Sequence, residues 1–401
     1  MIKIFVIILF TISILTTACY ADIELDEIQE YSFSEVSTNS TQEPTTNSSN
    51  IIVVDRKTLS VLYEKNGYHK VAMASTTKIM TCIITLEQCS LKDIVKVSSR
   101  ASSIHGSTLG LKTNMEISIN DLLYGLMLRS GNDCAIALAE HISGSVENFS
   151  ILMNEKAFEL GLFNTHFVTP HGLDDSNHYT SAHDLALLAD YALKNSTFKQ
   201  IVSSKNYTIN FGGYPKTLSN TNELLGNLEG VYGVKTGFTF EAGRCLVSAC
   251  KRDNLDIIVV VLGANTKKIR TQDSRNLINY IFTNYKYIDL ESTVQDAFNN
   301  FIMHLQKNNI FHLEKTSTSP ILALEKIDNY EFPIPQKSLN LSTKIFVQNH
   351  FSPKTSINSN VGILYLYNNN ELICKSNIVL KNMLIKNSWK YYFKKILVNL
   401  F

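Results

Sequence analysis

Three short motifs supply the groups that an active-site serine enzyme needs: a nucleophilic hydroxyl, a second hydroxyl, two lysines and a carboxamide. In chain order they are Ser75-Thr76-Thr77-Lys78, Ser130-Gly131-Asn132 and Lys235-Thr236-Gly237. A serine hydroxyl is a weak nucleophile until a nearby base takes its proton, and Lys78 follows Ser75 by one helical turn. Each motif alone arises by chance in many chains, but the three together predict covalent catalysis through Ser75.

Helices are predicted to position two of these motifs. Apolar residues recur at helical spacing over residues 72–88, which places Ser75 in an opening turn whose backbone N–H groups lack intrahelical partners. An N–H group in that position is suited to stabilise an oxyanion. The Ser130-Gly131-Asn132 motif separates helical segments over residues 121–128 and 135–142, and is therefore predicted to be a connecting loop.

A sheet is predicted to position the third motif. Strands are expected over residues 231–237, 243–251 and 256–263, and the Val259-Val260-Val261 run indicates a strand buried on both faces. The other expected elements are a hairpin over residues 51–55 and 59–63 and amphipathic helices over residues 147–160, 181–193 and 269–285. Helices clustered between hairpins predict an α+β fold class, in which helices pack on an antiparallel sheet.

The chain is predicted to contain five segments. Residues 1–21 carry Lys3, an apolar run and small residues ending at Ala21, as in a secretory signal peptide; lipoprotein processing at Cys19 is the alternative. Residues 22–49 are rich in Ser, Thr, Asn and Glu, which predicts a flexible linker. The remaining segments are a catalytic domain over residues 50–286, a small β-rich domain over residues 287–380 and an amphipathic helix over residues 381–401.

The final segment has the composition of a membrane-surface helix. It contains five lysines and no acidic residue, and its apolar residues recur at three- and four-residue steps. Lys386, Lys390 and Lys394 form another face suited to anionic headgroups, and Trp389 favours the interfacial depth. We therefore expect an extracytoplasmic protein that is peripherally anchored on the membrane. The alternative is a helix packed on the protein's own domains.

Composition argues against other partners and against a metal. There are 37 Lys and Arg residues and 36 Asp and Glu residues, so no net field favours nucleic acid. The cysteines lack the spacing of a disulfide framework, and no C-x-x-C or H-E-x-x-H motif is present. No cofactor, metal or obligatory disulfide is predicted. His171, His178 and His183 are expected to be loop residues, because no G-x-S-x-G motif supports a Ser-His-Asp enzyme.

The three motifs, in this order after a signal peptide, resemble the serine-type D-alanyl-D-alanine carboxypeptidases of peptidase family S11, which are low-molecular-mass penicillin-binding proteins. The resemblance covers roughly residues 50–286. It includes the wider segments Met73-Ala74-Ser75, Leu128-Arg129-Ser130, Thr169-Pro170-His171-Gly172-Leu173 and Ala242-Gly243-Arg244-Cys245. It implies a β-lactamase/transpeptidase-like α+β domain, with peptidoglycan stem peptides ending in D-Ala-D-Ala as substrates and β-lactam antibiotics as ligands.

The resemblance also implies roles for individual residues. Ser75 would attack the carbonyl between the two terminal D-alanines, with Lys78 as the general base. Ser130 would relay a proton to the leaving group, and Asn132 would hold Lys78 and the substrate amide. Four residues of the third motif region would bind substrate: Lys235 and Thr236 at the terminal carboxylate, Gly237 at the substrate backbone, and Phe238 through an oxyanion-binding N–H.

Three alternative functions remain open at this stage. A class A-like β-lactamase shares all three motifs, but residues 130–235 lack the E-x-x-L-N pattern of its water-activating glutamate. A non-catalytic wall-binding protein is disfavoured because the nucleophile and both lysines are intact. An endopeptidase or transpeptidase differs only in the acceptor of the acyl group, which the sequence does not specify.

Overall fold

The computed structural model describes residues 28–32, 43–308, 312–313, 316, 318–326, 330–335, 340–348, 350–386 and 388–400. The predicted signal peptide lies outside these residues. Within them the strands are β1 Ile28–Ser32, β2 Asn50–Asp55, β3 Val61–Lys65, β4 Ile94–Lys96, β5 Glu116–Ser118, β6 Asn206–Phe211, β7 Tyr214–Ser219, β8 Val231–Thr239, β9 Gly243–Arg252, β10 Leu255–Ala264, β11 Tyr285–Asp289, β12 His312–Leu313, β13 Leu322–Leu324, β14 Glu331–Pro335, β15 Leu341–Val347, β16 His350–Phe351, β17 Asn360–Asn368 and β18 Glu371–Leu380. The α-helices are α1 Lys78–Gln88, α2 Ser99–Ser103, α3 Ile119–Leu128, α4 Asn132–Ser143, α5 Val146–Glu159, α6 Ala182–Lys194, α7 Ser196–Ser203, α8 Lys267–Asn284, α9 Glu291–Asn308 and α10 Trp389–Leu400.

The chain forms two compact units, and the larger contains the motif residues. It comprises the described part of Asn39–Tyr287 together with that of Pro333–Lys337. Its five-stranded sheet has the order β3-β2-β10-β9-β8, and every neighbouring pair is antiparallel. Because β8 is the last strand in this order, the Lys235-Thr236-Gly237 motif lies on an edge strand.

Two apolar layers sandwich this sheet. Val259 and Val261 of the central strand β10 join Leu277, Ile278 and Ile281 of α8 in one core. The residue between the two valines, Val260, belongs to the other and larger core, to which each of the helices α1 to α7 contributes. Both faces of β10 are therefore buried, as the run of three valines predicts. The α+β fold class is confirmed.

The second unit contains a separate sheet with the order β1-β15-β17-β18-β13. The predicted hairpin across residues 368–370 is confirmed by the antiparallel pairing of β17 with β18. Although strands dominate, the unit also contains α9, an 18-residue helix that the expectation of short strands missed.

The prediction of a flexible linker over residues 22–49 is wrong at two places. Residues 28–32 form β1, which pairs with β15 from Ile28–Phe346 to Ser32–Ser342. Ser48 is fully buried, and both its backbone N–H and its Oγ donate to the Asp273 carboxylate of α8. The polar composition therefore did not prevent these residues from adopting a fixed structure. Their backbone and hydroxyl groups form hydrogen bonds with β15 and with Asp273, and no apolar core is needed.

The prediction of one helix over residues 381–401 is wrong for its first part. The helix α10 begins only at Trp389. Before it, Asn382 Oδ1 accepts from the Ile321 N–H and the Ile385 N–H donates to Thr318 Oγ1, which holds this stretch against residues 318–321. Within the described part of the chain, no helix combines the length and apolarity that a membrane crossing requires.

Candidate active site

Ser75 lies in a short 3₁₀ turn, Ala74–Thr77, that leads directly into α1. The prediction of a continuous helix from residue 72 is therefore wrong, because Ala74 adopts a left-handed φ of 49° that an α-helix does not accommodate. Two hydroxyl groups fix the turn: Thr76 Oγ1 donates to the Met73 carbonyl at 2.6 Å and Thr77 Oγ1 donates to the Ala74 carbonyl at 2.8 Å. The turn holds Ser75 at a half-buried position in front of the buried Lys78.

Lys78 is fully buried, and its Nζ contacts three oxygens. It lies 2.7 Å from Ser75 Oγ, 2.8 Å from Asn132 Oδ1 and 2.6 Å from the His171 carbonyl oxygen. Burial lowers the pKa of Lys78 well below its ordinary value, and the positive charge of Lys235 lowers it further. The structure therefore favours the neutral amine at this position.

A neutral amine has two N–H donors and one lone pair. The amide oxygen of Asn132 and the carbonyl oxygen of His171 can only accept, so each takes one N–H of Lys78. The remaining lone pair faces the Ser75 hydroxyl, which can donate its proton to Lys78 Nζ. This geometry is what proton removal from Ser75 requires.

Lys235 and Ser130 form a second hydrogen-bonded pair. Lys235 Nζ donates to Ser130 Oγ at 3.0 Å and to the Thr236 carbonyl at 2.9 Å. Burial lowers the pKa of Lys235 to about 7, and the nearby Arg270 guanidinium contributes to the shift. Ser130 has a left-handed φ of 60° and is only 7% exposed. Its hydroxyl is therefore aimed at Lys235 by the turn between α3 and α4.

Asn132 is the first residue of α4, and not part of a connecting loop as predicted. Its side-chain N–H donates to the His105 carbonyl at 2.9 Å and its backbone N–H to the Ser107 carbonyl at 2.7 Å. The next residue, Asp133, is buried and accepts from three backbone N–H groups of residues 109–111. Residues 105–111 are thus fixed against the start of α4, and they orient the Asn132 amide oxygen toward Lys78.

The end of β8 completes the arrangement. Thr236 Oγ1 lies 2.6 Å from Thr221 Oγ1. A Cβ atom at Gly237 would lie 3.1 Å from Ala74 Cβ and 3.2 Å from the Ser75 backbone nitrogen. This glycine thus allows the strand to approach the turn that carries Ser75, a packing role that sequence reasoning did not anticipate. The ring of Phe238 is 42% exposed, and the Arg244 guanidinium carbon lies 3.5 Å from the ring centre.

The comparisons with known proteins agree with this geometry. A family model described as D-alanyl-D-alanine carboxypeptidase matches residues 37–266. The chain belongs to this family, peptidase family S11. The protein is a serine-type D-Ala-D-Ala carboxypeptidase that binds penicillin, and its chemistry proceeds through a serine acyl-enzyme. It removes the terminal D-alanine from peptidoglycan stem peptides.

Relatives of the carboxypeptidase extend across most of the chain. The D-alanyl-D-alanine carboxypeptidase DacF of Bacillus subtilis is 32% identical over 350 residues, which is 86% of this chain and 87% of the relative. The crystal structure of DacD from Francisella tularensis gives a TM-score of 0.69 at 25% identity, over 87% of this chain and 97% of that chain. The crystal structure of the Streptomyces K15 DD-transpeptidase gives a TM-score of 0.59 at 34% identity, over 61% of this chain and 100% of that chain.

The structure of the carboxypeptidase brings the predicted site residues into two connected sets. Ser75, Lys78 and Asn132 share one set of hydrogen bonds, and Ser130 shares a second with Lys235. Sequence reasoning missed the carbonyl oxygen of His171, because a backbone contact leaves no signature in the residue type. It also missed the role of Asp133, although this residue directly follows the second motif.

Acidification is expected to destabilise the carboxypeptidase before its carboxylates titrate. Burial lowers the pKa of His171 to about 3 and that of His178 to about 4. Both values lie below the ordinary 6.5, so the unfolded chain takes up protons first as the pH falls. Stability should be complete above pH 6.5 and should fall by about 2 kcal/mol per histidine by pH 5.

Urea unfolding at pH 8 and pH 5 measures this loss. The variant His178→Gln, which has no imidazole at that position, should lose roughly half of the pH dependence of the two histidines. The exposed His69 serves as the matched control for the loss of a histidine side chain, through the variant His69→Gln. Identical pH dependence in wild type and His178→Gln would contradict the assignment.

Proposed function

We propose that Ser75 is the residue that forms the acyl-enzyme and that Lys78 is its general base. The observation that carries this proposal is the contact of Ser75 Oγ with the Lys78 amine, whose two N–H groups are already directed at Asn132 and His171. Ser75 attacks the carbonyl carbon between the two D-alanines, and its proton moves to Lys78 Nζ. The tetrahedral intermediate then expels D-alanine, whose nitrogen must gain a proton.

Ser130 is proposed to deliver that proton to the leaving nitrogen. Its hydroxyl lies next to Lys235, whose pKa near 7 allows it to hold or release a proton at neutral pH. Asn132 holds the Lys78 amine through Oδ1, and in our proposal it also contacts the substrate amide. Water then attacks the acyl-enzyme and releases the shortened peptide.

The oxyanion of the intermediate is proposed to bind two backbone N–H groups, those of Ser75 and Phe238. The close approach of Gly237 to the Ser75 nitrogen supports this pairing, because it brings the two segments within van der Waals distance. Two donors fixed by packing need no reorganisation when charge develops on the substrate oxygen, which is why such sites stabilise transition states.

Lys235 and Thr236 are proposed to bind the terminal carboxylate of the substrate, next to Gly237. Lys235 is almost fully buried and its field is reinforced by Arg270, a guanidinium that is 3% exposed. An anion at this position would restore the protonated form of Lys235. Substrate binding and the charge state of the site are therefore coupled.

Lys235→Ala should discriminate between substrates with and without a free carboxylate. We expect the variant to lose about 10- to 100-fold in kcat/KM toward a peptide ending in D-Ala-D-Ala, since a charge-assisted hydrogen bond is removed. A peptide with an amidated terminus should lose much less. Because both peptides are measured on the same variant, any loss of folded protein lowers the two kcat/KM values equally and cancels in their ratio. Equal losses would show that Lys235 does not recognise the carboxylate.

The proposed residue roles can be tested by peptide mapping and product analysis. Incubation with fluorescent penicillin, proteolysis and mass spectrometry should locate the label on the peptide that contains Ser75.

Release of D-alanine from a pentapeptide, compared with the rate of penicillin hydrolysis, separates a carboxypeptidase from a β-lactamase. Adding an amine acceptor tests the transpeptidase alternative, which the K15 relative named above keeps relevant. A non-catalytic protein would give no label.

We also propose that the protein acts outside the cytoplasm and lies on the membrane surface through α10. The support comes from exposed apolar side chains on and near this helix: Trp389, Phe393, Ile396, Leu397 and Val398. Trp389 is 72% exposed and Val398 69% exposed, which a soluble surface rarely combines on one short helix. Exposed Lys386 and Lys390 lie beside them. In this proposal residues 50–286 carry catalysis and residues 287–380 form a separate β-rich domain.

Removing α10 should abolish membrane binding without affecting catalysis. A chain ending at Lys386 keeps Leu384, which is buried, and the hydrogen bonds of residues 382–385. We expect the full chain to sediment with vesicles that contain anionic phospholipid and the shortened chain to remain in the supernatant. Both should label with penicillin at the same rate. If the shortened chain still sediments, α10 is not the anchor.

A further inference from the structure

The segment from Thr165 to Thr180 contacts the turn that carries Ser75 and the α1 helix that follows it at four places. The Pro170 carbonyl accepts from Thr81 Oγ1, and the His171 carbonyl accepts from Lys78 Nζ. A Cβ atom at Gly172 would lie only 2.0 Å from the Ala74 carbonyl oxygen. The fourth contact is made by His178, a residue that the three motifs do not include.

The hydrogen-bond partners of His178 determine its protonation state. Its Nδ1 accepts from the Val168 N–H at 2.9 Å and from the Thr169 N–H at 3.3 Å, so this nitrogen carries no proton. Its Nε2 lies 2.8 Å from Thr77 Oγ1. The Thr77 hydroxyl already gives its proton to the Ala74 carbonyl, so Nε2 must be the donor in this contact. His178 is therefore the neutral Nε2–H tautomer.

These contacts form a continuous chain from the loop to the nucleophile. His178 donates to Thr77, and Thr77 donates to Ala74, the residue before Ser75 that adopts a left-handed φ. On its other side, His178 orients the backbone just before Pro170 and His171, whose carbonyls bind Thr81 and Lys78. One imidazole thus contacts both segments that set the distance between Ser75 Oγ and Lys78 Nζ.

We propose that His178 is a positioning residue for acylation, which holds the Ser75 turn through Thr77 and orients the loop carbonyl that binds Lys78. The inference rests on the proposed roles of Ser75 and Lys78. Its ring is 3% exposed and has no contact with the reacting atoms, so it acts through Thr77 and the backbone. Small displacements of reacting groups lower rates steeply, which gives such a residue a measurable effect.

The electrostatic surroundings agree with a neutral ring. Burial lowers the pKa of His178 to about 4, with Asp175 acting in the opposite direction and His166 lowering it further. His171 is also close enough for the two rings to influence each other. Protonation of Nδ1 would place an N–H against the Val168 and Thr169 N–H groups. The neutral form is thus required by the contacts as well as favoured by burial.

Three variants separate positioning from simple stabilisation. His178→Leu removes both functions of the ring, His178→Gln keeps a donor near Nε2, and Thr77→Val removes the hydroxyl that His178 contacts. We expect His178→Leu and Thr77→Val each to lower the first-order rate constant of penicillin acylation by about 10-fold or more, with the initial binding constant unchanged. His178→Gln should restore most of the rate. The double variant should be no slower than the slower single variant, since both act through one contact.

The assay measures the acylation rate constant and, separately, the fraction of protein that finally carries label. A merely structural histidine would lower the labelled fraction and leave the rate constant of the folded molecules unchanged, which would overturn the proposal. Additive losses in the double variant would also overturn it.

If His178→Leu does not fold, Thr77→Val decides alone, and a wild-type rate in that variant refutes the chain of contacts. His69→Leu, at an exposed histidine outside this loop, is the control and should acylate at the wild-type rate. Absence of label on Ser75 in the wild type would instead refute the proposed function.

Discussion

Replacing Ser75 by alanine is expected to abolish covalent labelling by penicillin and to lower D-alanine release by on the order of 10³- to 10⁶-fold. The reason is that Ser75 Oγ, which lies 2.7 Å from Lys78 Nζ, is the atom that would form the ester. Loss of one oxygen atom at a half-buried position leaves the packing of the turn unchanged. The variant should therefore fold and bind penicillin reversibly without forming the ester.

Labelling followed by denaturing electrophoresis measures this prediction directly. The exposed Ser203 in α7 provides the matched control, because Ser203→Ala removes the same atom outside the three motifs. Control and wild type should label equally. Persistent labelling of Ser75→Ala at the wild-type rate would assign the acyl-enzyme to another residue, and peptide mapping of the label would identify it.

Replacing Lys78 by methionine is expected to lower the acylation rate by about 10²- to 10⁴-fold, the usual effect of removing a general base. Methionine fills nearly the same volume, so the fully buried site is not left with a cavity. Asn132 Oδ1 and the His171 carbonyl each lose a donor, at about 1–3 kcal/mol per group, while the unfavourable burial of an amine is also removed. The net change in the free energy of unfolding should therefore be small.

Stopped-flow acylation and urea unfolding of the same sample distinguish lost chemistry from lost structure. Lys92→Met, at an exposed lysine, is the control and should match the wild type in both measurements. If Lys78→Met acylates within about threefold of the wild-type rate, another group removes the Ser75 proton. Lys235, the other buried lysine of the site, would then be the first candidate to test.

The side chains of the site could be predicted from the sequence because their identities and order form a recognisable set. Ser75, Lys78 and Asn132 are in contact as expected, and so are Ser130 and Lys235. The local backbone around them could not be predicted. The 3₁₀ turn at Ala74 depends on Gly172, which is distant in sequence and fits against the Ala74 carbonyl only because it lacks a side chain.

Long elements with clear periodicity were also predicted with nearly correct bounds. The strands expected over residues 231–237 and 256–263 are β8 and β10, each longer than expected by two residues. The hairpin β6–β7 was missed, since its residues are mostly polar and exposed and it pairs only with itself. Its tertiary contacts include that of Lys216, whose Nζ donates to the Leu109 carbonyl beside the Asp133-bound loop.

The pairing of β1 with β15 has a consequence for the order in which the protein is made. A ribosome synthesises Ile28–Ser32 long before it reaches the partner residues 342–346, so β1 exists without its neighbour while the whole catalytic unit is produced. An unpaired strand offers free N–H and C=O groups to other chains, and pairs that are distant in sequence form slowly. The catalytic unit, whose sheet has all of its strands between residues 50 and 264, can close first. The sheet of the catalytic unit can therefore close before β1 finds its partner strand.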